Sequence, residues 1–310
     1  MTKPARPLRI GTRGSPMAIA QTSAVAELIT QRTGCPVELV RVTTFGDVSR
    51  GQLSQIGGTG VFVSGLRVRL LAGEIDVAVH SLKDLPTAAA MGIVLAAVPV
   101  RDDARDALVS ADRAKLADLP TGARIGTGSP RRAAQLRLLR PDVEPVPIRG
   151  NADTRLNKVS SGELDAVVLG YAGLARIGRL DTVAQVLEPD EMIPAPGQGA
   201  LAIECQPGLA ELLAGVDDPA SHAVADAERN VLAALQGGCS APVGAYAEYA
   251  QATGTVTLRA GVFDPDGGAP VRACTTGAAG QAPELGREVA AELLRRGAGN
   301  YISVPAGTRE

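Results

Sequence analysis

The chain has 310 residues, 45% of them apolar and 2% aromatic, with a formal net charge of −2 at pH 7; that length allows two or three domains with cores built from Val, Leu, Ile and Ala. The near-zero charge argues against a nucleic-acid scaffold or an acidic tail. Four scattered cysteines (Cys35, Cys205, Cys239, Cys274) without a C-x-x-C pair, and only two histidines (His80, His222), argue against a zinc or iron–sulfur site. No apolar run reaches membrane-spanning length, and the opening Met-Thr-Lys-Pro-Ala-Arg-Pro has no apolar core. A soluble, cytoplasmic, reduced protein is expected.

Taken in chain order, Arg9-Ile10-Gly11-Thr12 reads as a strand and Ser15-Pro16 as the start of a helix to about Gln31, ending near Gly34. Strands are predicted at Val37–Thr43, Asp76–His80, Ile93–Val98, Ala107–Ser110, Val143–Ile148 and Asp165–Leu169, with a helix over Val61–Leu71. A second strand, turn and helix start appear at Arg124-Ile125-Gly126-Thr127-Gly128-Ser129-Pro130, with its helix running to Leu139. Gly73-Glu74-Ile75-Asp76-Val77-Ala78-Val79 is echoed by Gly162-Glu163-Leu164-Asp165-Ala166-Val167-Val168 in the same order, which implies two similar α/β units with mostly parallel sheets. Boundaries fall at Pro99–Asp106 and at Ile193-Pro194-Ala195-Pro196-Gly197-Gln198-Gly199, with the strand Ala200–Glu204 returning into the first unit. Two crossings imply a hinged cleft. From Pro219 onward one helix, three strands and a final helix (Glu284–Arg296) read as a small α+β domain. The expected division is 1–99 with 200–217, then 100–199, then 218–310.

Chemistry concentrates at strand ends. Arg13 and Ser15 follow the first strand. Val79-His80-Ser81-Leu82-Lys83-Asp84-Leu85-Pro86 offers a carboxylate, Asp84, able to steady a developing cation, and an ammonium, Lys83, able to bind carboxylates; a capping aspartate before Pro86 reads equally well. His80 alone reads as structural. Arg131 and Arg132 occupy a helix's first turn, where the backbone already presents positive charge, so an anion is expected opposite them. Arg149-Gly150-Asn151, Arg155 and Arg176 add donors near strand ends, where open α/β sheets bind ligands. The loop Gly57-Gly58-Thr59-Gly60 is not a Walker motif, since no Lys-Ser or Lys-Thr follows. Gly237-Gly238-Cys239-Ser240-Ala241-Pro242 holds a thiol outward, as attachment point or nucleophile; among so many arginines it reads as the tether of an anionic cofactor.

Along nearly its whole length the chain resembles the porphobilinogen deaminase (hydroxymethylbilane synthase) family. The resemblance rests on Gly11-Thr12-Arg13 with Ser15-Pro16, the His80–Pro86 segment, Gly126–Arg132, Arg149-Gly150-Asn151, Pro196-Gly197-Gln198-Gly199-Ala200 and Gly237-Gly238-Cys239. It implies a monomeric cytosolic transferase of tetrapyrrole biosynthesis, condensing four porphobilinogen molecules into hydroxymethylbilane with loss of ammonia. It also implies two periplasmic-binding-protein-like α/β domains around a cleft, plus a small C-terminal α+β domain. A dipyrromethane cofactor would be joined to Cys239 by a thioether, with neither membrane nor nucleic acid as partner. By the same resemblance Lys83, Ser129, Arg131, Arg132 and Arg155 hold the cofactor, Arg13, Ser15, Arg149 and Arg176 bind substrate, and Asp84 is catalytic. Phe45, Gln55 and Thr59 stand where some relatives carry basic residues, Gly14 and Gly128 where some carry larger polar ones, and Pro130 where some carry an apolar one. Two other readings are a non-catalytic small-anion receptor and a cysteine-nucleophile hydrolase or transferase; the first leaves the Gly-Gly-Cys loop unexplained and the second lacks an obvious base.

Overall fold

The computed structural model describes residues 6–42, 61–238 and 241–302. Phe45, Gln55, the glycine loop 57–60 and Cys239 with Ser240 lie outside them. Strands in the first half of the chain are β1 (Leu8–Thr12), β2 (Val37–Arg41), β3 (Val77–Ser81), β4 (Val94–Ala97), β5 (Asp106–Ser110), β6 (Arg124–Thr127) and β7 (Glu144–Pro147). The rest are β8 (Ala166–Gly170), β9 (Gln185–Leu187), β10 (Leu201–Cys205), β11 (Val243–Ala250), β12 (Thr255–Val262) and β13 (Val271–Ala278). Two compact units emerge: residues 1–101 with 200–222, and residues 102–199 with 223–310.

The first unit holds a five-stranded sheet in the order β2-β1-β3-β10-β4, and the second holds one in the order β7-β6-β8-β5-β9. In each, one strand runs against the other four: β10 is antiparallel to β3 and β4, and β5 to β8 and β9. The sheets are therefore mixed rather than mostly parallel in their pairing. The chain crosses between units just before each reversed strand, so that strand enters its sheet without a helical crossover and is free to run backwards. The inner strands β3, β10, β5 and β8 are buried on both faces, and alternate residues divide between the two cores. Ala166 and Val168 of β8 face one core with Leu136, while Val167 and Leu169 face another with Leu164 and Ile148. The second unit also contains the antiparallel sheet β11-β12-β13, packed on the helix Ala282–Arg295 and on Val224, Ala227 and Val231. The α/β class with a small C-terminal α+β part is as expected.

The sequence echoes are physical equivalences. Backbone N–H groups of Arg9 and Arg124 donate to Asp76 (2.8 Å) and Asp165 (2.7 Å), the matching acids of the Gly-Glu-x-Asp repeats. Hydrogen bonds from Arg6 and Arg9 outweigh the cost of burying Asp76 and hold its carboxyl well below the usual range. Gly11 and Gly126 repeat because a Cβ there would lie 2.4 Å from Ile75 Cδ1 and 2.6 Å from Leu164 Cδ1, again matching residues. Ser15 and Ser129 cap the helices Pro16–Thr33 and Pro130–Leu139 by accepting from the N–H groups of Ala18 and Arg132.

Candidate active site

In the first unit the expected residues follow β1 and β3, two parallel neighbours whose carboxyl ends lie on one edge of the sheet. Arg13, half-buried, comes directly after β1, and Ser15 spends its hydroxyl oxygen on the helix cap at 3.2 Å. Lys83 and Asp84 lie in a single 3-10 turn, Leu82–Asp84, anchored by the fully buried Leu82. Asp84 is exposed, and among the described residues no group pairs with its carboxylate. The turn Leu82–Asp84 has no side-chain cap hydrogen bond. Beneath the turn, Gln21 donates to Ser81 at 3.0 Å and Thr22 to Thr12 at 2.9 Å, fixing the first helix to the two strand ends.

His80 is structural. It is buried on β3, its Nε2 3.2 Å from Glu204 Oε2 of β10, while Arg67 grips the same carboxylate at 2.6 Å. Burial opposes the charge of Glu204, but His80 and Arg67 outweigh it and hold the carboxyl down at about 2. Beside it burial, and then Glu204, push the Cys205 thiol up to about 11, away from the thiolate form that reacts.

In the second unit Ser129, Arg131 and Arg132 follow β6, Arg149 follows β7, and Arg155 lies in the helix Ala152–Ser160 capped by Asn151. An anion does stand opposite the arginine pair, and it is the protein's own Asp106, at the start of β5. Arg132 donates to Asp106 Oδ1 from Nε at 3.0 Å and Nη2 at 2.7 Å; Arg131 Nη2 pairs with Oδ2 at 2.8 Å. Burial alone would raise the Asp106 carboxyl; the two guanidiniums and Gln198 overcome it and hold the group ionised, well below the usual range. Arg155 differs. Its Nε donates to Gly150 O at 2.9 Å, but among the described residues no acid pairs with it. Burial, and then the like charge of Arg132, press its guanidinium below the usual arginine range. Arg149 is exposed and, among the described residues, likewise without an acid. Arg176 is held in a clasp, donating to Asp102 at 2.8 Å and to Gly199 O at 2.6 Å, where the second unit's first segment begins and ends. Cys239 lies outside the described residues.

Comparison with known proteins gives the family. The family model described as "Porphobilinogen deaminase, dipyromethane cofactor binding domain" matches residues 8–214, and "Porphobilinogen deaminase, C-terminal domain" matches residues 223–295. The chain belongs to the porphobilinogen deaminase family. A porphobilinogen deaminase of Thermobifida fusca is 56% identical, covering 98% of each chain, and porphobilinogen deaminase 1 of Streptomyces coelicolor is 54% identical over 95% of this chain and 97% of its own. The aliphatic sulphonate binding protein SsuA of Escherichia coli aligns with 72% of this chain and 70% of its own at 18% identity and a TM-score of 0.40.

Three residues of this family member escaped the sequence reading: Asp106, Gln198 and Glu228. Gln198 Nε2 donates to Asp106 at 2.8 Å and to Ala104 O at 2.7 Å. Glu228, fully buried, accepts from the N–H groups of Gly197 (2.7 Å) and Ala247 (2.8 Å). Asp106 closed the charged stretch Arg101-Asp102-Asp103-Ala104-Arg105-Asp106 ahead of the apolar run Ala107-Leu108-Val109, where nothing set it apart from Asp102 and Asp103, and Gln198 sat inside a recognised motif without a role. Glu228, in the polar stretch Asp226-Ala227-Glu228-Arg229-Asn230, gave no signal.

Proposed function

We propose that the chain is a hydroxymethylbilane synthase, a transferase of tetrapyrrole biosynthesis that joins four porphobilinogen molecules head to tail into linear hydroxymethylbilane and releases ammonia at each step. Family membership over both matched segments supports the activity. The observation that carries the site assignment is Arg155: a half-buried guanidinium beside Arg132, with no acid against it among the described residues. A cation so placed is a ready partner for an anion brought from outside.

The donor set fits a dipyrromethane, whose acetate and propionate groups are anionic. We assign Cys239 as its thioether anchor and Lys83, Ser129, Arg131, Arg132 and Arg155 as its holders; bound, it supplies the primer on which the chain grows. Arg13, Ser15, Arg149 and Arg176 are assigned to substrate carboxylates, which guanidiniums can grip in bidentate fashion. The clasp on Asp102 and Gly199 and the cap on Ala18 give Arg176 and Ser15 structural work as well. Asp84, exposed and unpaired among the described residues, steadies the positive charge that develops on a substrate pyrrole as its amino group leaves. A covalent anchor keeps the growing end at the reacting groups and makes each addition effectively intramolecular.

Among the described residues no helix is long and apolar enough to cross a membrane; we assign the enzyme to the cytoplasm, as a monomer that does not bind nucleic acid. The family matches end at 214 and resume at 223, which supports a C-terminal domain starting near 218, after parts of 1–99 with 200–217 and 100–199. Intact mass of the purified protein tests the reading. An excess equal to two linked pyrroles is expected, and it is absent from Cys239→Ser; an unmodified protein with full activity overturns the assignment.

A further inference from the structure

Burying two adjacent guanidiniums demands a counter-charge. Arg131 and Arg132 are 3% and 5% exposed, and among the described residues one carboxylate, that of the fully buried Asp106, pairs with both. Arg131 Nη1 and Arg132 Nη1 are taken by the carbonyls of Ile193 (2.6 Å) and Val168 (3.0 Å). Gln198 closes the cluster, donating to Asp106 Oδ1 and accepting from Arg132 Nη2 at 3.3 Å. Its loop is pinned in turn by Gly197 N–H on Glu228. Arg131 Nε and Asp106 Oδ2 are buried without a hydrogen-bond partner among the described residues, so Arg131 meets Asp106 as an ion pair while Arg132 is hydrogen-bonded to it.

We propose that Asp106 is a positioning residue, the resident counter-ion that fixes both guanidiniums at the end of β6 and leaves the pair one positive charge in excess for an anionic ligand. The ligand named rests on the function proposed above; the counter-ion role does not. Asp106 is fully buried and acts only through Arg131 and Arg132. Without its charge the two cations repel one another in a dry site, and the arginine geometry is lost before any ligand arrives.

The test is a double-mutant cycle by urea unfolding at pH 7, read beside cofactor loading by intact mass. Asp106→Asn keeps the shape and removes the charge; it is expected to lower the folding equilibrium constant by on the order of a hundredfold or more. Adding Arg131→Met removes one of the repelling cations and is expected to recover at least about tenfold of that loss. Asp106→Glu, which keeps the charge, is expected to load a larger fraction of protein with the two-pyrrole mass excess than Asp106→Asn does. Losses in the cycle that simply add, or an Asp106→Asn protein loaded as fully as the parent, overturn the proposal. Should Asp106→Asn fail to fold, the double variant decides: folded, it supports the counter-ion role; unfolded, it overturns it. A parent protein without the mass excess defeats the function proposed above and leaves the folding cycle readable.

Discussion

Glu204→Gln removes a buried charge while nearly preserving volume. In the parent, Arg67 donates to Glu204 from Nε at 3.0 Å and Nη2 at 2.6 Å, and His80 Nε2 lies 3.2 Å away. These contacts lower the carboxyl from 4.5 to about 2. At 1.36 kcal/mol per pH unit, that difference is worth about 3 kcal/mol of stability at pH 7. Because the folded value lies below the unfolded one, the contribution is complete above pH 4.5 and is lost as the pH falls toward about 2. Urea unfolding of parent and variant from pH 7 down to pH 2.5 measures it. The variant should be less stable by about 3 kcal/mol at neutral pH, and the gap should close through the acid range. Equal stability at pH 7, or a gap that does not change with pH, would refute the claim that the ionised carboxylate holds Arg67 and His80 in place.

Three further outcomes follow from the same structure. Asp84→Asn, at an exposed position without a partner among the described residues, should shift stability by no more than about 0.5 kcal/mol while kcat falls at least about a hundredfold; denaturant midpoints and turnover together check it. Gly126→Ala forces a methyl to within 2.6 Å of Leu164 Cδ1 and 2.8 Å of Ile148 Cδ1, so a loss of about 1–3 kcal/mol is expected in thermal or urea unfolding. Arg149→Leu should leave the unfolding midpoint unchanged and raise KM for porphobilinogen, with the effect of the substitution shrinking at high salt as the parent's own binding is screened.

Much of the fold was legible because it is local chemistry repeated. Ser-Pro marks both helix starts, since a serine oxygen and a ring without an N–H suit that position in any context. The Gly-Glu-x-Asp repeats predicted a duplication, and the paired bonds from Arg9 and Arg124 supply its cause. Element ends shifted by a residue or two, as where β2 stops at Arg41 rather than Thr43. The reversed strands β5 and β10 were not legible, because direction depends on where the chain re-enters a sheet and not on the pattern of apolar residues.

The candidate site divides in the same way. Residue types at strand ends announced anion binding, and an arginine pair at a helix start announced an anion opposite. Which anion it is depends on Asp106, whose distance from Arg132 along the chain is 26 residues. The sequence alone determined the family, the duplicated α/β units and the arginines that can meet carboxylates, because each is written in motifs of a few adjacent residues. The tertiary structure alone decided how those charges are spent: Arg131 and Arg132 on Asp106, Arg176 on Asp102, and Arg155 on no acid among the described residues. Coulomb forces and burial act through space, so pairing distant side chains has no local signature to read.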